Sequence, residues 1–131
     1  MILLDTHVLV WYISDPDKLS AKADKLIEAS LKEGKAAISS ISIWEMAMLV
    51  KKKRLTLTMD IALWIEKIVS LPVLKIIPVD HKIAFKSVYL PGSFHRDPAD
   101  RMIVATAIIN NCILITSDNK IRRYHHVKSS W

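Results

Sequence analysis

Four carboxylates stand where this chain can least afford an unpaired charge. Asp5 closes the apolar run at residues 1–4, and Asp118 follows a second apolar run at residues 112–116. A strand apolar on both faces is a central parallel strand covered by helices, so an acid at its end lies at the carboxyl edge of the sheet, where open α/β folds bind ligands. Glu45 shares a helical face with Ile41, Met48 and Leu49, and Asp100 shares one with Ile103, Val104 and Ala107, because positions three and four apart are neighbours on a helix. Both acids point inward from apolar stripes, where a lone carboxylate is costly.

Convergence of the four at one edge requires positive charge among them. Two carboxylates about 4 Å apart repel by about 4 kcal/mol at an effective dielectric near 20. No Lys or Arg adjoins all four, although Arg101 can partly neutralise one. Oxygen ligands with few histidines select Mg2+ or Mn2+ over zinc. The expected site has Asp5, Asp100 and Asp118 holding one or two ions, with Glu45 as a further ligand or as the base that orients water. Such ions lower the pKa of the attacking water and offset charge on the leaving oxygen, which is the chemistry of phosphodiester hydrolysis. Asp97 and Asp80 read as helix caps, and His7 and His95 as loop or capping residues at the mouth.

The elements that must position these residues follow from periodicity. Residues 6–14 predict a short helix broken by Asp15-Pro16-Asp17. From Leu19 the apolar spacing predicts an amphipathic helix ended by Gly34, then a buried strand at 35–39. Ser40 or Ser42 can cap the helix over 41–53. Asp60 caps a helix to Ser70, and residues 73–79 form an edge strand because of Pro78. Asp80 caps the next helix. Asp97, Pro98 and Asp100 fit the N-cap, first and third positions of a helix that is apolar nearly all round and so deeply buried. Strand 112–116 and a last edge strand within 127–131 complete an α/β fold, a parallel sheet of four to five strands with right-handed crossovers. Trp11, Trp44 and Trp64 fall among apolar positions, as core or interface residues.

Composition narrows the function classes. At 131 residues and 51% hydrophobic, with two glycines, the chain fits one domain with a sizeable core. No apolar run approaches a membrane span, no signal peptide develops before Asp5, and lone Cys112 excludes an internal disulfide framework. A cytoplasmic protein is expected. The net charge of +6 suits a polyanionic partner. Lys51, Lys52, Lys53 and Arg54 form one basic cluster; Lys120, Arg122, Arg123, His125, His126 and Lys128 form another, with Tyr124 inside it.

The segments LLDTHVLVWY (3–12), ISIWEMAMLVKKKRL (41–55), LPGSFHRDPADRMIVATA (90–107) and LITSD (114–118), in this order and spacing, resemble the PIN-domain ribonuclease toxins of toxin–antitoxin pairs, the VapC-like family. The resemblance spans nearly the whole chain and implies a single PIN-like nuclease domain over 1–131. It implies an acidic metal-binding quartet at Asp5, Glu45, Asp100 and Asp118, with Thr116 or Ser117 as the small hydroxyl residue that helps hold it and Thr6 in support. It further implies Mg2+- or Mn2+-dependent cleavage of structured RNA such as tRNA or rRNA, a homodimer, and a small antitoxin protein as neutralising partner. RNA contacts are expected at Lys51, Lys52, Lys53, Arg54, Arg96, Arg101, Lys120, Arg122 and Arg123. Lys53 stands where relatives commonly carry glycine after the helix, and a non-glycine left-handed cap costs about 1 kcal/mol.

Rival readings are weaker. A haloacid-dehalogenase-like phosphatase needs a second Asp two residues after the first, where this chain has His7. A receiver domain needs paired acids at the first strand. A PIN nuclease of RNA maturation without an antitoxin, or a catalytically degenerate RNA- or protein-binding module, stands as the alternative.

Overall fold

The computed structural model describes residues 1–131. Its elements are β1 (Ile2–Leu4), α1 (Thr6–Ser14), α2 (Ala21–Lys32), β2 (Ala36–Ser39), α3 (Ser40–Lys51), α4 (Ile61–Val69), β3 (Leu74–Ile77), α5 (His81–Val88), α6 (Pro98–Ile109), β4 (Ile113–Ile115), α7 (Asn119–Arg122) and β5 (Ser129–Ser130). The strands form one sheet in the order β3-β2-β1-β4-β5, every pair parallel. β1 is the middle strand, as its two-faced apolarity predicts.

Alternation along the strands divides the core between the two faces of the sheet. Ile2, Leu4, Ala36, Ile38 and Ile115 enter one cluster with Val8, Ile27, Met46 and Trp64. Leu3, Ala37 and Leu114 enter the other with Ile83, Ile103, Val104 and Ala107. The chain steps outward from β1 to β2 and β3, then returns across β1 to β4 and β5. Adjacent strands β1 and β4 therefore send their following connections in opposite directions, and a crevice opens beyond their carboxyl ends. No helix is long and apolar enough to cross a membrane.

Several local expectations are corrected. Neither Ser40 nor Ser42 caps α3. Ser39 does, its hydroxyl accepting the Ile41 N–H at 3.2 Å. Ser40 instead accepts the Val79 N–H at 2.9 Å, tying the start of α3 to the chain after β3. Ser42 is buried and accepts the Thr6 hydroxyl at 2.9 Å. The helix ends at Lys51, and Lys53 adopts the left-handed φ of 58°. Trp64 is a core residue, but Trp44 is 54% exposed because it lies outside the stripe that α3 buries. Helix α7 has no counterpart in the sequence reading, since four residues are too few to display a period.

Candidate active site

The site is assembled from Asp5 outward. The backbone N–H of Asp5 donates to Ile115 O at 3.0 Å, continuing the β1–β4 ladder to the end of the sheet. Its side chain turns back as the N-cap of α1 and accepts the Thr6 N–H at 2.7 Å. The other carboxylate oxygen accepts the Thr116 hydroxyl at 2.7 Å. Thr116 Oγ1 in turn accepts the Asp118 N–H at 3.1 Å, and Asp118 caps α7 through the Lys120 N–H at 2.9 Å. One threonine thus fixes the acids that follow two neighbouring strands. Asp5 is only 7% exposed; burial raises its carboxyl pKa, against the lowering effect of its Thr116 and Thr6 hydrogen bonds.

Glu45 reaches the crevice half-buried from α3, its pKa raised first by burial and then by the neighbouring Asp5 charge. Asp100 comes from the first turn of α6, where Pro98 opens the helix and Asp97 Oδ1 accepts the Asp100 N–H at 3.0 Å. The Asp100 side chain is 18% exposed. Burial above all, then the charges of Asp5, Asp97, Glu45 and Asp118, push its pKa up to about 8.

The structure brings Asp5, Glu45, Asp100 and Asp118 into one cavity of about 330 Å3, shared with His7, Trp11, Asp97 and Ser117. Asp97 corrects the sequence reading. Besides capping α6 it offers a fifth carboxylate, with ligand atoms of Glu45, Asp97 and Asp100 all within 4.8 Å of one another. No local signal marked it, because capping α6 already accounts for an aspartate at that position. Asp80 caps α5 and does not line the cavity.

His95 is a second residue whose role was understated. Its Nε2 lies 3.1 Å from Asp100 Oδ2, at ion-pair distance but off the line of a hydrogen bond. Its Nδ1 accepts the Asp97 N–H at 3.4 Å. Ligand atoms of His95, Asp100 and Asp118 also cluster within 4.8 Å, which sets the His95 ring beside the acids.

Arg101 does not belong with the acids. Its guanidinium donates to the carbonyls of Ser87 (2.7 Å), Phe94 (2.9 Å), His95 (3.1 Å) and Val88 (3.1 Å). Those four bonds fasten the end of α5 and the following loop to α6. They leave the guanidinium neither aimed at a carboxylate nor free for RNA. Lys51, Lys52, Lys53, Arg54, Arg96, Lys120, Arg122 and Arg123 are exposed, and no Lys or Arg lines the acidic cavity.

Five carboxylates without a lysine or arginine, one of them locked by hydrogen bonds to both oxygens, form an all-oxygen donor set that fits a hard divalent cation. Glu45, Asp97 and Asp100 offer oxygens within 4.8 Å of one another, and at that distance an ionised pair repels by about 3 kcal/mol for an effective dielectric near 20. A cation among them removes that cost.

Comparison with known proteins identifies the family. The PIN domain family profile matches residues 2–127. Ribonuclease VapC22 of Mycobacterium tuberculosis (strain ATCC 25618 / H37Rv) is 34% identical over 125 residues, covering 95% of this chain and 92% of that protein. Among solved structures, VapBC2 from Rickettsia felis bound to a DNA fragment from its promoter superposes with a TM-score of 0.73 at 24% identity, over 99% of this chain and 98% of that one. DNA-bound VapBC from Salmonella typhimurium gives 0.71 at 17% identity, over 99% and 98%. These two likenesses are of fold. With the family profile covering nearly all of the sequence and a relative above 30% identity along its length, the chain belongs to the PIN domain family.

Proposed function

We propose that this protein is a metal-dependent endoribonuclease acting as the toxin of a toxin–antitoxin pair, with Asp5, Glu45, Asp100 and Asp118 as its working acids. The observation that carries the reading is the acidic cavity at the β1–β4 crevice, lined by five carboxylates and no Lys or Arg. Membership of the PIN domain family and the ribonuclease named as its 34% identical relative support RNA as the substrate. The basic surface supports it further.

Asp5, Asp100 and Asp118 are the residues that would hold Mg2+ or Mn2+. When bound, such an ion supplies Lewis acidity toward water and phosphate oxygen. The protein's own contribution is orientation. Thr116 and the Thr6 N–H leave Asp5 no freedom to turn, and the His95 ring lies against Asp100, its Nε2 3.1 Å from Oδ2. Glu45, with its pKa raised by burial, accepts the proton of a water directed at the scissile phosphorus, since a base works best when its pKa approaches the working pH. Ser117 lines the same wall. No side-chain nucleophile is required.

A small antitoxin protein would neutralise the site, and the chain would act in the cytoplasm as a homodimer. The exposed apolar residues Phe85 and Val88 on α5 and Tyr89 just after it support a protein contact on that face. The test is incubation of total tRNA and ribosomal RNA with the purified protein and Mg2+ or Mn2+, beside EDTA and an Asp100→Asn variant. Cleavage abolished in both controls is expected; cleavage that persists in EDTA overturns the metal requirement.

A further inference from the structure

Beside the acidic cavity lies a second one of about 430 Å3 and opposite character. One wall is aromatic: the rings of His95, Phe94, Tyr124 and His126 follow one another at centroid distances of 4.4, 4.8 and 5.2 Å. Lys120 and Arg123 bring positive charge to the same space, with His125 beside them. The wall is built rather than incidental. The Tyr124 hydroxyl donates to Pro91 O, and Gly92, at φ +66°, allows His126 to approach so closely that a Cβ there would stand 3.1 Å from Nε2. His95 links the two compartments: its ring lies tilted at 42° to Phe94 in the aromatic row, and its Nε2 is 3.1 Å from Asp100 Oδ2.

We propose that this cavity is a nucleotide subsite that seats the RNA residue next to the scissile phosphate. A ligand with a flat π face and a negative charge on the same unit matches an aromatic wall beside cations, and in RNA these repeat once per nucleotide. Stacking on aromatic rings accepts any base, while Lys120 and Arg123 engage phosphate without reading sequence. The approach of His95 to Asp100 and of Lys120 to Asp118 sets the two cavities side by side, so that in this proposal an anionic backbone passing the cations brings its next phosphate to the acids. The pairing of cavities also explains how a cluster of carboxylates can work on a polyanion at all. Attraction is supplied beside the reaction centre rather than within it.

The inference rests on the nuclease reading, and its test separates the two. Binding of a short fluorescein-labelled single-stranded RNA is measured by anisotropy in EDTA across a salt series, for the wild type, Lys120→Gln/Arg123→Gln, and a charge-matched control, Lys25→Gln/Lys32→Gln on α2. The cavity pair is expected to lower affinity about tenfold and to reduce the salt slope by about one for each phosphate no longer neutralised, with Mn2+ binding to the acidic cavity measured by calorimetry unchanged. Phe94→Leu, which keeps apolar volume and removes the π face, is expected to weaken binding about fivefold at unchanged salt slope. Equal weakening in the cavity pair and the control overturns the proposal, since net charge then suffices. So does unchanged RNA binding together with abolished binding of a labelled oligoglutamate, which assigns the cavity to an acidic protein segment. Wild-type RNA binding without cleavage under Mg2+ or Mn2+ defeats the nuclease reading alone. Cleavage with equal RNA affinity in wild type and cavity pair defeats the subsite alone.

Discussion

Asp100→Asn separates what the acidic cavity does for function from what it does to stability. The Asp100 carboxyl has a pKa of about 8 in the folded protein against an ordinary value of 3.8. Between those values the native protein holds a proton there that the unfolded chain has released. Because the native state binds more protons, stability falls as pH rises through this window and is recovered as pH drops back toward 4. The Asn variant removes the titrating group while keeping a similar shape and an oxygen that can face His95. One ionised neighbour at 4.8 Å opposes Asp100 by about 3 kcal/mol. Allowing for water and for the favourable helix N-terminus, a net gain of about 2 kcal/mol at pH 8.5 is expected in EDTA.

For a chain of this size that gain corresponds to a Tm increase of about 7 °C. The assay is thermal unfolding in EDTA at pH 4.5 and pH 8.5, repeated with Mn2+. The variant should match the wild type at pH 4.5, exceed it at pH 8.5 without metal, and gain much less from Mn2+ at either pH. The wild-type gain from Mn2+ should itself shrink as pH falls below 8, since binding then competes with a proton. An Asn variant that is less stable than the wild type at pH 8.5 in EDTA would refute the reasoning. It would mean that Asp100 is held by favourable contacts rather than opposed by its neighbours.

Three further outcomes follow from single side chains. Thr116→Val removes the hydroxyl shared by Asp5 and the Asp118 N–H; urea unfolding should show destabilisation of about 1–3 kcal/mol, calorimetry a weaker Mn2+ affinity, and Thr116→Ser should restore both. Arg101→Lys keeps the charge but cannot serve four carbonyls on two segments, so destabilisation of about 2–4 kcal/mol is expected in the same assay, with RNA affinity of the folded protein unchanged. Lys53→Gly relieves a left-handed backbone and should stabilise by about 0.5–1 kcal/mol after glycine's greater unfolded freedom is counted.

Much of this site is written in the sequence because its acids break local rules. Asp5 ends an apolar strand, and Glu45 and Asp100 interrupt apolar stripes, so each is conspicuous without any knowledge of its neighbours. Asp97 is not conspicuous, because capping α6 is already a sufficient local reason for an aspartate there. The fifth carboxylate emerges only when α3 and α6 meet across the crevice. Arg101 misleads for a related reason. Its partners are backbone carbonyls on α5 and the loop at residues 94–95, acceptors present in every sequence, so no residue type announces them. Trp44 shows the limit of apolar identity as a guide to burial: on α3 the ring falls beyond the buried stripe and stands in solvent.

The order in which the site is tied together bears on how metal and folding are linked. The Thr116–Asp5 hydrogen bond joins residues 111 apart in sequence, and it forms only when β4 has docked beside β1 in the register Leu4 to Ile115. Glu45 joins from α3 only once β2 lies on the other side of β1. A partly folded chain therefore lacks the convergent donors and has no reason to bind a divalent ion tightly. A ligand that binds the native state alone adds its binding free energy to stability, so the carboxylates that oppose folding in EDTA favour it once a cation is supplied. The predicted gap between wild-type Tm values with and without Mn2+ is the direct measure of that reversal. It should shrink sharply in Asp5→Asn/Asp100→Asn, which removes two of the five carboxylates and with them much of both the repulsion and the binding site.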